Sequence, residues 1–236
     1  MLKGKTALIT GASRGIGRAI AFKLAEQKVN LILTGRSEGD LQNTSSLIRE
    51  KYQVKTKIIV ADLLKEDAPA AIVHKAVEIA NGLDILINNA GAALSLPAEQ
   101  TTIERWNQIM NLNARAPFFL CQEAIPYLRK SDCAAIVNIS AEKGVAENVN
   151  HAAFAASKQA VTAWSKILAR ELEKDGIPVH LISPEGVDTD LSAELQPGLE
   201  KSALISPVEI AEIVVFLLKF RGKGQIDQIN LRHRSR

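Results

Sequence analysis

Aromatic residues make up only 4% of this 236-residue chain, and cysteine occurs at two positions, Cys121 and Cys133. The two cysteines form no C-x-x-C pair and no zinc-type spacing, which excludes a dithiol redox centre and a thiolate metal site. So little cysteine fits a reducing, cytoplasmic compartment. The four histidines, His74, His151, His180 and His233, are scattered, and no metal site is expected. No apolar run approaches the roughly 20 residues that span a bilayer. Met1-Leu2-Lys3-Gly4-Lys5 is basic but leads into no long apolar stretch with a small-residue cleavage site, so no secretory signal is expected. A net charge of +3 is too small to argue for nucleic acid, and the basic end from Arg232 to Arg236 reads as a solvated tail. Repeats, low-complexity tracts and linkers are also missing, so a single domain over residues 1–236 is expected.

What the chain does have is enough apolar residue to fill a core: 47%, at a mean hydropathy of +0.03. Short β-branched runs recur at residues 5–10, 30–34, 56–60, 83–88, 134–140, 178–183 and 225–231. Helical spacing intervenes, as in Ile16, Ile20 and Leu24. Ser206-Pro207-Val208-Glu209 is a capping box with proline at the first helical position, predicting a helix through Phe220. Seven apolar strands alternating with helices predict an α/β fold: a doubly wound Rossmann arrangement with a seven-stranded parallel sheet and helices on both faces.

The most informative segment is Thr10-Gly11-Ala12-Ser13-Arg14-Gly15-Ile16-Gly17, which ends a strand and opens a helix. Backbone N–H groups and a helix N-terminus there can receive a pyrophosphate. The spacing G-x-x-x-G-x-G, with Gly11, Gly15 and Gly17, is the form found in short-chain dehydrogenases/reductases, and further motifs follow in order. Asp62-Leu63 resembles that family's adenine-contacting aspartate, and Asn88-Asn89-Ala90-Gly91 its N-N-A-G motif. Asn111, after Trp106, stands where the family keeps a catalytic asparagine. Phe154-Ala155-Ala156-Ser157-Lys158 resembles its Y-x-x-x-K segment. Pro184 and Val187-Asp188-Thr189 resemble the loop that clamps the nicotinamide. The chain therefore resembles that family over nearly its whole length. The resemblance implies a carbonyl reductase, similar to the β-ketoacyl-carrier-protein reductases.

The second strand ends Thr34-Gly35-Arg36-Ser37, with no acid for a ribose 2′-hydroxyl. Arg14, Arg36 and Ser37 instead suit a 2′-phosphate, so the resemblance implies NADP(H) as cofactor. Its expected contacts are Gly11, Ser13, Arg14, Gly15, Ile16, Gly17, Arg36, Ser37, Asp62, Leu63, Asn89, Ala90, Gly91, Lys158, Pro184, Val187 and Thr189.

The catalytic set is incomplete. In the family a tyrosine is the acid or base, a lysine four residues on binds the ribose, a serine polarises the carbonyl and an asparagine orders a proton relay. Here Lys158 and Asn111 match, but the tyrosine position holds Phe154 and the serine position Ala141. Ser140, adjacent, points to the opposite face of its strand. Glu185 replaces the glycine expected after Pro184. A phenyl ring donates no proton, and loss of a general acid costs about 100- to 10,000-fold in rate. The chain is expected to be inactive or very slow as a reductase. It fits either an active reductase with two hydroxyls removed by design or a natural non-catalytic NADP(H)-binding relative; Glu185 favours the second. A rewired set of His151, Glu142 and Lys158 is a third reading. Against it, His151 reads as a polar helix-start residue and Glu142 as a solvated loop charge.

Residues 190–205 are expected to form a short substrate lid. The resemblance also implies a homodimer or homotetramer built on helices over 101–129 and 151–174, which carry Trp106, Phe118, Phe119 and Trp164. A small-molecule or acyl carbonyl substrate is implied; neither nucleic acid nor membrane is expected as a partner.

Overall fold

The computed structural model describes residues 2–142, 148–195, 200, 204–220 and 224–233. In chain order the elements are β1 (Thr6–Thr10), α1 (Gly15–Glu26), β2 (Asn30–Gly35), α2 (Glu38–Tyr52), β3 (Thr56–Val60), α3 (Ala68–Ala80) and β4 (Ile85–Asn88). Then follow α4 (Ile103–Met110), α5 (Ala116–Leu128), β5 (Ala135–Ile139), α6 (Ala152–Leu172), β6 (Val179–Pro184), α7 (Asp190–Leu195), α8 (Pro207–Lys219) and β7 (Gln228–Leu231). The seven strands form one parallel sheet in the order β3-β2-β1-β4-β5-β6-β7, as the alternation of patterns predicts.

Each central strand is buried on both sides because its alternate residues feed two cores. Ala7 and Ile9 of β1, Ile85 and Ile87 of β4, and Ala135 and Val137 of β5 join the core that includes Leu24 of α1 and Val214 of α8. Leu8, Leu86 and Ile136, between them, pack with Ile72 of α3, Leu120 of α5 and Leu172 of α6. At about 1.5–3 kcal/mol for each large apolar side chain removed from water, these two layers dominate the stability. A charge placed at Leu8, which is 0% exposed, would break the second layer. Several polar residues inside are paired across elements. Asn88 donates to Asn138 at 2.9 Å, and Asn138 donates to Ser165 at 2.9 Å, tying β4, β5 and α6 together.

The capping box forms as expected. Ser206 Oγ accepts from Val208 N at 3.2 Å, Glu209 accepts in return from Ser206 N at 2.7 Å, and Pro207 opens α8. The helix expected over 101–129 is more complex. It starts only at Ile103, capped by Thr102 Oγ1, and a π-helical turn over Asn111–Arg115 separates α4 from α5. Such a turn inserts a residue and rotates everything after it, frequently at functional sites. Of the expected lid, residues 190–195 form α7, while 196–199 and 201–203 lie outside the described residues. Val187 bridges to Ile205 and closes the segment at its base.

The basic end is not merely a solvated tail. β7 delivers Arg232 to Glu142, whose Oε1 accepts from Nη2 at 2.9 Å and Nε at 3.1 Å, and Glu185 accepts from His233 N at 2.9 Å. Residues 234–236 lie outside the described residues. Among the described residues, no helix is long and apolar enough to cross a membrane. Several large apolar side chains are exposed on α4, α5 and α6: Ile103, Trp106, Phe118, Phe119 and Ile167.

Candidate functional site

Strand order reverses direction between β1 and β4, and the carboxyl ends of these strands open into the main cleft. Ligands of open parallel sheets bind in that place. Thr10, the last residue of β1, closes the joint: its Oγ1 accepts from Asn89 N and Ala90 N, both at 3.0 Å. Asn89 Nδ2 in turn donates to Thr10 O at 3.0 Å and Gly11 O at 3.2 Å. The loop over residues 11–14 can turn this tightly because Gly11 and Gly15 have φ of +65° and +54°. A Cβ on Gly17 would lie 2.3 Å from Gly11 O and 2.4 Å from Asn89 Nδ2, so the loop closes onto α1 only with glycine there. Gly17 thus builds the loop from behind rather than lining the cleft. No acidic side chain occupies the first turn of α1. Its unpaired N–H groups and positive dipole end therefore offer an anion site at the loop.

Arg36, directly after β2, is exposed on the rim of the same cleft, with Ser13, Asp62 and Leu63 beside it. Ser37 departs from expectation: its hydroxyl caps α2, accepting from Asp40 N at 3.4 Å, and it does not line the cleft. Arg14 lines the cleft, yet its Nη1 reaches Asp190 Oδ2 at 2.5 Å, tying the glycine loop to the first residue of α7. Both side chains are about two-thirds exposed, at 66% and 67%, so this tether is weak and replaceable.

The other half of the cleft, over β4, β5 and β6, collects Ala141, Phe154, Lys158, Pro184, Glu185, Val187 and Thr189. Lys158 projects from α6 and donates to Ile139 O at 3.2 Å; burial pulls its ammonium pKa down to about 8. Phe154, one turn earlier, is 1% exposed and packs with Leu195, Leu191, Ala141 and Ala93. Where the sequence pattern calls for two hydroxyls, the structure thus has an apolar cluster sealed by α7. Ser140 cannot stand in, since its Oγ donates to Lys158 O at 3.0 Å and the residue is 4% exposed.

The asparagine near Lys158 is not Asn111, which begins the π turn; neither asparagine of that turn lines the cleft. It is Asn113, buried at 2% exposure. Its Oδ1 accepts from Ala92 N at 2.9 Å, and its Nδ2 donates to Ala92 O and Ser157 Oγ, each at 3.0 Å. A Cβ on Gly91 would meet Asn113 Oδ1 at 3.2 Å and Lys158 Nζ at 3.6 Å, so glycine keeps the space between them open. Only the π turn distinguishes the two asparagines, and no side-chain periodicity in the sequence announces it.

Two residues expected to be peripheral are buried. Glu142, 6% exposed, is held by Arg232, and His151, 2% exposed, has Nε2 3.2 Å from Leu195 O and its ring edge-on to Phe154 at 6.3 Å. His151 therefore fastens α7 over Phe154. Neither lines the cleft. No cluster able to hold a metal occurs among the described residues.

A glycine loop at the sheet's switch point, with a lysine in the cleft over the neighbouring strand ends, defines a dinucleotide-type site. Comparison with known proteins agrees: the family model "short chain dehydrogenase" matches residues 5–200, and the chain belongs to that family. It is 31% identical over 231 residues to an oxidoreductase of Staphylococcus saprophyticus, covering 98% of both chains. It is also 31% identical over 224 residues to the 3-oxoacyl-[acyl-carrier-protein] reductase of Aquifex aeolicus, covering 92% of this chain and 90% of that one. Among solved structures, a short chain dehydrogenase from Burkholderia cenocepacia in complex with NADP superposes with a TM-score of 0.89 at 29% identity, covering 98% of both chains. A metagenomic short-chain oxidoreductase in complex with NADP gives a TM-score of 0.86 at 27% identity, covering 100% of this chain and 99% of that one.

Proposed function

We propose that this protein binds NADP(H) as a member of the short-chain dehydrogenase family but does not reduce carbonyl compounds by the family's hydroxyl-based route. The observation that carries the reading is Phe154. Its phenyl ring stands one helical turn before Lys158, inside an apolar cluster with Ala141 and Leu195. A carbonyl accepting hydride needs a proton or a hydrogen-bond donor at its oxygen as charge develops. Phenyl and methyl groups supply neither.

The residues present do fit the dinucleotide. The loop leaves no room for a side chain at Gly11 or Gly17, and the α1 N-terminus behind it suits the pyrophosphate. Arg36 suits a 2′-phosphate, there being no acid at the end of β2. When bound, the cofactor would supply a hydride. Lys158 would donate to the nicotinamide ribose hydroxyls, Asn113 would hold the Ala92 backbone, and Asp62 and Leu63 would flank the adenine. Asn113 takes the place expected of Asn111. The lid helix α7, fastened by His151 and the Arg14–Asp190 pair, would exclude water from the ring.

The α/β unit reads as a single domain with a lid helix over Asp190–Leu195, and its two cysteines, both buried and neither in a disulfide, fit a cytoplasmic setting. The apolar faces of α4, α5 and α6 fit a homodimer or homotetramer, which sedimentation of the intact protein tests. Titration with NADPH and NADH tests the cofactor reading. NADPH should bind at least about ten-fold more tightly, the worth of one charge-assisted phosphate contact; equal affinities would contradict it.

A further inference from the structure

Charged side chains line both halves of the cleft. Arg14, Arg36 and Asp62 line the end over β1, β2 and β3, whereas Glu185, directly after the last residue of β6, lines the other end with Phe154, Lys158 and Asp188. A dinucleotide laid across the switch point places its phosphates at the first end and its nicotinamide over β4–β6. Oxidised and reduced forms differ there by one unit of charge: the oxidised ring is cationic and the reduced ring neutral. Every other group of the ligand is the same.

We propose that Glu185 biases this cleft toward the oxidised dinucleotide. The inference rests on the dinucleotide reading given above. Glu185 is fixed rather than loose: its backbone N donates to Leu231 O at 2.8 Å, and its Oε2 accepts from His233 N at 2.9 Å. Both contacts are neutral, so they orient the carboxylate without cancelling its charge. Among the described residues no salt bridge forms at Glu185, whereas the neighbouring carboxylate Glu142 has Arg232 against it. Arg232 is thus engaged elsewhere. The Lys158 ammonium disfavours the cationic ring and Asp188 favours it, but neither changes in a Glu185 variant, so the difference between the two proteins reports Glu185 alone. In a cleft partly shielded from water, one nearby charge on a cationic ring has a strength that bulk solvent would not allow. A glycine at this position would contribute nothing of the kind.

The test is equilibrium binding of three ligands, NADP+, NADPH and adenosine 2′,5′-bisphosphate, to the intact protein and to Glu185→Gln. Glutamine keeps the acceptor for His233 N and removes the charge. Glu185→Gln should lower the ratio of NADP+ to NADPH affinity by about ten-fold relative to the intact protein. The bisphosphate, which lacks the ring, should bind both proteins equally. An unchanged ratio in Glu185→Gln, with bisphosphate binding intact, overturns this inference and leaves the dinucleotide reading standing. Absence of bisphosphate binding overturns both. The measurement is one of affinity and needs no turnover.

Discussion

Lys158 Nζ lies 6.0 Å from the centroid of the Phe154 ring, close enough for the ring's negative face to attract a cation but offering it no hydrogen bond. Its hydrogen bond runs instead to Ile139 O at 3.2 Å. Desolvation therefore dominates, and the pKa falls from the ordinary 10.5 to about 8. At about 1.36 kcal/mol per pKa unit, the fall corresponds to roughly 3 kcal/mol against the charged form. Because the folded value lies below the unfolded one, the unfolded chain holds more protons between about pH 8 and 10.5, and stability rises with pH through that window. Below pH 8 the penalty is present in full. Lys158→Met should stabilise the protein at pH 7 by about 1–3 kcal/mol, with an advantage that fades toward pH 10.5. Urea unfolding at three pH values measures this, and a constant difference would contradict it.

Gly17→Ala tests the loop. The added Cβ would stand 2.3 Å from Gly11 O and 2.4 Å from Asn89 Nδ2, two atoms that are hydrogen-bonded to each other. Backbone must move, so the variant should lose about 2 kcal/mol or more of stability and most of its dinucleotide affinity. Gly39, where an added Cβ would meet nothing within 4 Å, is the control: Gly39→Ala should be neutral or slightly stabilising. Thermal unfolding of both variants distinguishes them.

Arg232→Ala takes the guanidinium from a carboxylate that is only 7% exposed. Removing one partner of a buried pair commonly costs about 3–5 kcal/mol, but the Arg232 side chain is itself 73% exposed, and about 1–3 kcal/mol is expected. Denaturant titration gives the value. Dinucleotide binding should survive, because Arg232 does not line the cleft.

Arg36→Ala should weaken NADPH binding by about 10- to 100-fold while leaving NADH almost unchanged, since only NADPH carries the 2′-phosphate. Calorimetric titration of the variant with both ligands checks this. Parallel losses would instead make Arg36 a general electrostatic contributor.

The sheet and the glycine loop are legible in the sequence because buried strands and obligatory glycines leave local marks. Adjacent apolar residues such as Leu8 and Ile9, which feed opposite layers, announce a two-faced core, and Gly17 a close backbone approach. Three features of the site are not legible there. Asn113 reaches Ala92 and Ser157 from a π turn, a change of helical register that no pattern of apolar spacing contains. Ser37 suits a phosphate by its position in the chain, yet its hydroxyl is engaged as the cap of α2. Glu142 and Arg232 are 90 positions apart, and only the order β5-β6-β7 brings them together. The loss of both hydroxyls at Phe154 and Ala141 is plain from residue identity alone. That α7 closes over the pair, through His151 and Leu195, is not.

A cleft that holds NADP(H) without the hydroxyls that reduce a carbonyl is the central claim. The most direct measurement is NADPH oxidation across a panel of ketones and β-ketoacyl thioesters, by this chain and by Ala141→Ser/Phe154→Tyr, with NADPH binding measured on both. We predict binding by both proteins, no ketone-dependent oxidation above background for this chain, and a gain of about 100-fold or more for the double variant. Ketone-dependent oxidation by the unaltered chain at the rate of the double variant would contradict the account.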